Sequence, residues 1–166
     1  KYDDAIESLL RSSELYDLIK PSSKAVAANY TAGLCYMAKD NYDKATSYLN
    51  KAESIHTQLN LGDSAQLFNL QRGLIYKAKN NMELALPFFE TIIALPTNAT
   101  IANTKAEALY QTGCIETQKN RSNLALNYLN KALDINEKSE NLEQRSDILL
   151  ALSNVHEKML DKKTAY

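Results

Sequence analysis

The segment GLCYMAKDNYDKATSYLNKA (Gly33–Ala52) recurs as GLIYKAKNNMELALPFFETI (Gly73–Ile92) and again as GCIETQKNRSNLALNYLNKA (Gly113–Ala132), each copy 40 residues after the last. Outside these copies the same period continues. Ala5, Ala45, Ala85, Ala125 and Ala165 form one column, and Gly33, Gly73 and Gly113, followed by Ser153, form a second. Leu9, Leu49, Phe89 and Leu129 make a third, and Leu15, Ile55, Leu95 and Ile135 a fourth. Several columns in one fixed register mark a protein built of stacked repeats, each burying its apolar face on the next.

Composition agrees. With 166 residues, only 4 Gly and 3 Pro, and many Ala, Leu, Lys, Glu and Asn, the chain suits an all-helical fold. The net charge is -1 and no block of Lys or Arg stands out, so this segment has no electrostatic footprint for nucleic acid or an anionic membrane. Its apolar runs are only a few residues long, too short to span a bilayer. Cys35 and Cys114 fall two repeats apart, where stacking would not bring their Cα atoms within the ~7 Å that a disulfide needs. Unpaired thiols favour a reducing, cytoplasmic setting; an extracytoplasmic one would follow if the full chain were a membrane-bound sensor. The sequence opens and closes inside repeats, which predicts a portion of a longer chain.

The apolar spacing predicts about nine helices joined by short polar breaks. Residues 1–20 read as the second helix of an incomplete repeat. Full hairpins are expected over 22–59, 63–95 and 98–138, and an incomplete one over 142–166, with its last helix starting at Asp161. Pro21, the Asn60-Leu61-Gly62-Asp63 run, Pro96 and the Glu137–Asn141 stretch are the expected breaks. Pro87 falls inside a helical stretch, where it lacks an N–H and crowds the carbonyl four residues back, so a bend or a frayed first turn is expected there.

Gly33 and Ala45 lie twelve residues apart, one on each helix of a hairpin, as do Gly73 and Ala85, and Gly113 and Ala125. Small residues at these places let two helix axes approach to the short end of the range of about 8–10 Å. The Leu/Phe column, one turn after each alanine, supplies the bulk buried between hairpins.

This order of small, aromatic, small, bulky and small residues resembles the tetratricopeptide repeat. The series Gly33, Tyr36, Ala45, Leu49, Ala52 follows the family pattern throughout. Gly73, Tyr76, Ala85, Phe89, Ile92 nearly does, while Gly113, Glu116, Ala125, Leu129, Ala132 and Ser153, His156, Ala165 lose the tyrosine. Two departures stand out. Asn29, Asn69, Leu109 and Leu149 replace the large aromatic expected four residues before the glycine, and the period exceeds the usual ~34 residues, which predicts longer flanking helices. Long repeats of this kind resemble those of bacterial signalling proteins: peptide-sensing regulators, and sensor regions of the type found in Bacteroidetes. HEAT repeats share the length, but their Pro and Asp/Arg features are missing.

The resemblance implies a right-handed α-solenoid whose concave groove, lined by the first helix of each hairpin, takes a peptide or protein ligand. Carried over, the groove positions are Tyr30, Leu34 and Met37; Leu67, Leu70, Leu74 and Lys77; Glu107 and Tyr110; and Asp147, Asn154 and Glu157. The expected groove is apolar in its N-terminal half and mildly acidic beyond. Leucines and Tyr30 stand where a carboxylate clamp would need Lys and Asn. The implied function is a non-enzymatic binding scaffold, the sensing or assembly module of a larger bacterial signalling protein. The alternative is a structural module that self-associates, for instance as a homodimer, or fills the groove with its own chain. No catalytic cluster, metal-ligand spacing or cofactor motif is evident. His56 and His156 lie in different repeats, and His156, in the tyrosine column, is expected to be packed. The sequons at Asn29 and Asn98 are short enough to arise by chance.

Overall fold

The computed structural model describes residues 2–18, 21–62, 64–138 and 141–164. Asp63, Ser139 and Glu140, parts of the expected breaks, and Ala165 of the alanine column lie outside them. The described chain is all-α, with eight helices and no strand: α1 (Tyr2–Leu18), α2 (Ser23–Ala38), α3 (Tyr42–Gln58), α4 (Ala65–Ala78), α5 (Met82–Ile93), α6 (Ala102–Gln118), α7 (Ser122–Asn136) and α8 (Leu142–Thr164). They fall into two compact units, Lys1–Asn80 and Asn81–Tyr166.

The turns explain the sharp folding back of α3 on α2 and of α7 on α6. After α2, the N–H of Asn41 donates to the Tyr36 carbonyl at 2.9 Å and that of Asp40 to the Met37 carbonyl at 2.9 Å. This double closure needs one residue in the left-handed region, and Asp40 takes it with φ 57. Asn120 repeats the arrangement after α6 with φ 59, Arg121 donating to Glu116 and Asn120 to Thr117. Asn80 and Asn60 adopt φ 58 and 49 at the ends of α4 and α3. Asn and Asp enter this region at lower cost than other residues with a β-carbon. The next helix is then capped by the following side chain: Asn41 Oδ1 accepts from the Lys44 N–H and Asn81 Oδ1 from the Leu84 N–H.

The expected turn near Asp161 is not made. The residue in the place of Asp40, Asn80 and Asn120 is Leu160, which cannot enter the left-handed region cheaply. The chain stays helical through Thr164, giving eight helices among the described residues, close to the nine or so expected. Pro87 sits within α5, yet the first turn is not frayed, because Asn81 caps it through both Oδ1 and its carbonyl, which accepts from the Ala85 N–H at 3.1 Å. The added length of the repeat extends two of the second helices, α3 running past Ala52 to Gln58 and α7 past Ala132 to Asn136, while α5 stops at Ile93, one residue after the matching Ile92.

In the first unit Tyr36, Ala45, Leu49 and Ile75 form a buried cluster, and in the second Leu109, Ala125, Leu129, Ala132, Ile148, Leu152 and Val155 form another. The column leucines do more than fill space between hairpins. A β-carbon on Gly33 would lie 2.8 Å from Leu49 Cγ, and one on Gly113 would lie 2.7 Å from Leu129 Cγ, so each leucine fills the void its own hairpin's glycine leaves. Tyr36 stacks on Tyr48 of α3 at 5.4 Å between centroids, with Lys44 Nζ 5.2 Å from its ring centroid. His156, in the same column, is exposed rather than packed, since α8 runs straight on and no described residue folds back over it.

Candidate functional site: the faces of the first helices

In the first unit the candidate face lies on α2 and α4. Tyr30, Leu34 and Met37 on α2 are half-buried, as are Leu74 and Lys77 on α4; Leu67 is 39% exposed. Leu70, at 8%, is buried and serves the core rather than an open surface. Tyr30 joins the two helices. Its ring meets Phe68 edge-on at 5.8 Å, and its hydroxyl accepts a hydrogen bond from Gln71 Nε2 at 3.1 Å. Burial raises the Tyr30 pKa, against a smaller opposing effect of the Gln71 bond, so the phenol is neutral at physiological pH. Arg72 ties α4 to α3: its guanidinium forks onto both carboxylate oxygens of Glu53 and reaches Asn50 Oδ1 at 2.9 Å. Lys79 bridges to Asp43 at 2.8 Å, and its bond and charge hold that exposed carboxyl below its usual pKa.

In the second unit the face lies on α6 and α8. Glu107 and Tyr110 are half-buried, while Asp147, Asn154 and Glu157 are exposed, and Leu150 beside them is 63% exposed. Glu107 is held by two amides: Gln111 Nε2 donates to Oε1 at 2.7 Å and Gln144 Nε2 to Oε2 at 2.9 Å. Gln144 in turn accepts from Asn136 Nδ2 at 2.8 Å, so one polar chain links α6, α7 and α8. The Tyr110 hydroxyl has its pKa raised by burial first, then by the Cys114 thiol with which it hydrogen-bonds and by the charges of Asp147 and Glu107. Neither Cys35 nor Cys114 is in a disulfide.

Sequence reasoning missed the bracing residues Phe68, Gln71, Gln111 and Gln144. A signal for two of them exists, since one repeat plus one residue separates Tyr30 from Gln71, and likewise Gln144 from the Asn103 carbonyl to which it donates at 3.3 Å. Among the described residues, no group of three or more His, Cys, Asp or Glu could hold a metal ion, and no helix is long and apolar enough to cross a membrane.

The repeat columns, the left-handed turns and the glycine–leucine contacts define a helical repeat protein of the hairpin type. The family model for the tetratricopeptide repeat matches residues 26–58, 68–98 and 106–139, over half the chain, and the chain belongs to that family. No curated protein matches it. Repeats of this family generally mediate protein–protein interaction or scaffolding.

Proposed function

We propose that this chain is a non-enzymatic scaffold that binds a peptide or protein segment through the first helices of its repeats, as the sensing or assembly module of a larger bacterial signalling or regulatory protein. The observation that carries the reading is the α2–α4 face, where Tyr30 is fixed by Phe68 and Gln71 while Leu34, Met37, Leu67 and Leu74 keep part of their apolar surface open to solvent. A rigid aromatic among partly open aliphatic side chains suits a ligand with hydrophobic anchors, because the receptor side loses little conformational entropy on binding. In the other unit the α6–α8 face carries the polar and acidic groups Glu107, Asp147, Asn154 and Glu157.

The test selects binders to this chain from a random peptide display library and measures their affinity for variants. Leu74→Asp should weaken the selected peptides by about tenfold or more, ~1.4 kcal/mol, with the helical circular dichroism unchanged. Leu70 is the poorer target because it is buried. Unchanged affinity for Leu34→Asp and Leu74→Asp together would overturn the assignment of the face.

A further inference from the structure

The α2–α4 face holds a polar pair whose hydrogen-bonding capacity is only half used. Gln71 is 9% exposed, and the one hydrogen bond its side chain makes runs from Nε2 to the Tyr30 hydroxyl at 3.1 Å. Among the described residues, none donates to Gln71 Oε1 and none accepts the Tyr30 hydroxyl proton. A carboxamide nine-tenths buried with its acceptor unspent is costly to the folded chain, and such groups call for a partner. Gln71 Oε1 keeps contact with solvent, so a ligand can reach it.

The surroundings of the pair are apolar. Leu67, Gln71 and Leu74 follow at four and three residues along one side of α4, and Tyr30, Leu34 and Met37 at the same spacings along α2. A free donor and a free acceptor therefore stand side by side, with Leu67 and Leu74 one turn to either side of Gln71 and Leu34 one turn beyond Tyr30. Phe68 meets the Tyr30 ring edge-on at 5.8 Å and fixes where the hydroxyl stands. Two repeats on, the same two places fall to Tyr110 and Ala151. Alanine has no amide, and the Tyr110 hydroxyl is hydrogen-bonded to Cys114. The pair is thus a property of α2–α4 and not of the repeat.

We propose that Tyr30 and Gln71 receive the main chain of an extended peptide segment. The Tyr30 O–H donates to the carbonyl, and Gln71 Oε1 accepts from the N–H, of one and the same ligand residue, while apolar side chains beside it settle on Leu34, Leu67 and Leu74. The proposal rests on the reading of this face as a peptide site and names the form of the peptide. In an extended segment one residue turns its N–H and its C=O to the same side, as in the hydrogen-bonded pairs of an antiparallel sheet. In a helix both groups are spent on neighbours four residues away. A carboxylate ligand would leave Gln71 Oε1 unmet, and an ammonium would leave the Tyr30 proton unmet.

The experiment takes one display-selected peptide that binds the parent chain and replaces its main-chain amides one at a time by esters, an exchange that removes one N–H and weakens one carbonyl acceptor. One position should lose about fivefold or more in affinity for the parent chain. That loss should vanish against Tyr30→Phe and against Gln71→Met, which keep the ring and the chain length; circular dichroism checks the fold, and either variant suffices should the other lose helicity. An ester effect that persists in the variants, or a peptide with no sensitive position, would overturn the extended main chain, while weakening by Leu34→Asp and Leu74→Asp would leave the site itself standing. Affinity unchanged by all four substitutions would overturn both.

Discussion

Leu49 Cγ occupies the space that a side chain at Gly33 would need: a β-carbon there would sit 2.8 Å from it and 3.3 Å from the Ala45 carbonyl oxygen. Gly113 stands in the same relation to Leu129 and Ala125 in the other unit. Two effects oppose each other when alanine is placed at either position. Helix propensity favours alanine over glycine by about 1 kcal/mol, whereas overpacking a filled contact costs about 1–3 kcal/mol. The leucine cannot yield cheaply, because its branch point, rather than a mobile end, is the clashing atom and it is fully buried. Gly33→Ala and Gly113→Ala should therefore each destabilise the chain by about 1–2 kcal/mol in urea denaturation. Stabilisation by either variant would show that the contact relaxes freely.

The place of the family aromatic is filled by Asn29, fully buried, whose Nδ2 donates to the Ala25 carbonyl at 2.9 Å and whose Oδ1 accepts from Ser13. Ser13→Ala removes the donor and leaves a buried acceptor, a loss of about 1–3 kcal/mol. The residues two repeats on suggest the remedy, since positions 93 and 109 hold Ile and Leu, and Ile93 packs on the cluster that contains Leu109. The double variant Ser13→Ile/Asn29→Leu should recover most of the loss of the single one, as thermal melts would report. Failure to recover would mean that the α1–α2 crossing is too tight for the apolar pair.

Asn120 holds the α6–α7 turn at φ 59. Replacing it with leucine, the residue that occupies its column at position 160, should cost about 1–2 kcal/mol. Amide hydrogen exchange should then show weakened protection at the N–H groups of Asn120 and Arg121, which close the turn. In the opposite sense, Leu160→Asn should lower protection of residues 161–164 by admitting a break in α8. Equal protection in parent and variants would separate turn formation from the identity of this residue.

Tyr110 has its phenol pKa raised by burial, by Cys114 and by the nearby carboxylates, so the folded state favours the protonated form. A group raised in the folded state contributes stability that is intact below the unfolded pKa, ~10 for tyrosine, and is lost as pH rises beyond it. Stability should fall as pH climbs above that value, and Tyr110→Phe should reduce the fall. Ultraviolet titration of tyrosinate should show the latest-ionising phenol missing in Tyr110→Phe; an unchanged profile would place the late phenol elsewhere.

Much of the fold is legible in the residues. The columns at Gly33, Ala45 and Leu49 recur because helical hairpins impose one spatial neighbourhood at one spacing, and a close helix crossing admits few side chains. The candidate faces were legible as positions but not as environments. Nothing local distinguishes Leu70, which is buried, from Leu74, which is half open. Gln71 and Gln144 carry no motif, because their partners Tyr30 and Glu107 come from another repeat.

The sequence by itself determined the helical class, the repeat register and the family, since these follow from periodic burial and from turn residues read within one repeat. Tertiary structure alone decided which small residue faces which leucine, that Asn29 spends its amide on Ser13 and Ala25, and that Leu70 is buried while Leu74 is half open. These depend on side chains from separate helices competing for one space, and neither propensity nor period encodes the outcome of that competition. At Leu160 the two levels meet: a residue that enters the left-handed region only at a cost stands where Asp40, Asn80 and Asn120 make their turns, and α8 continues through it to Thr164.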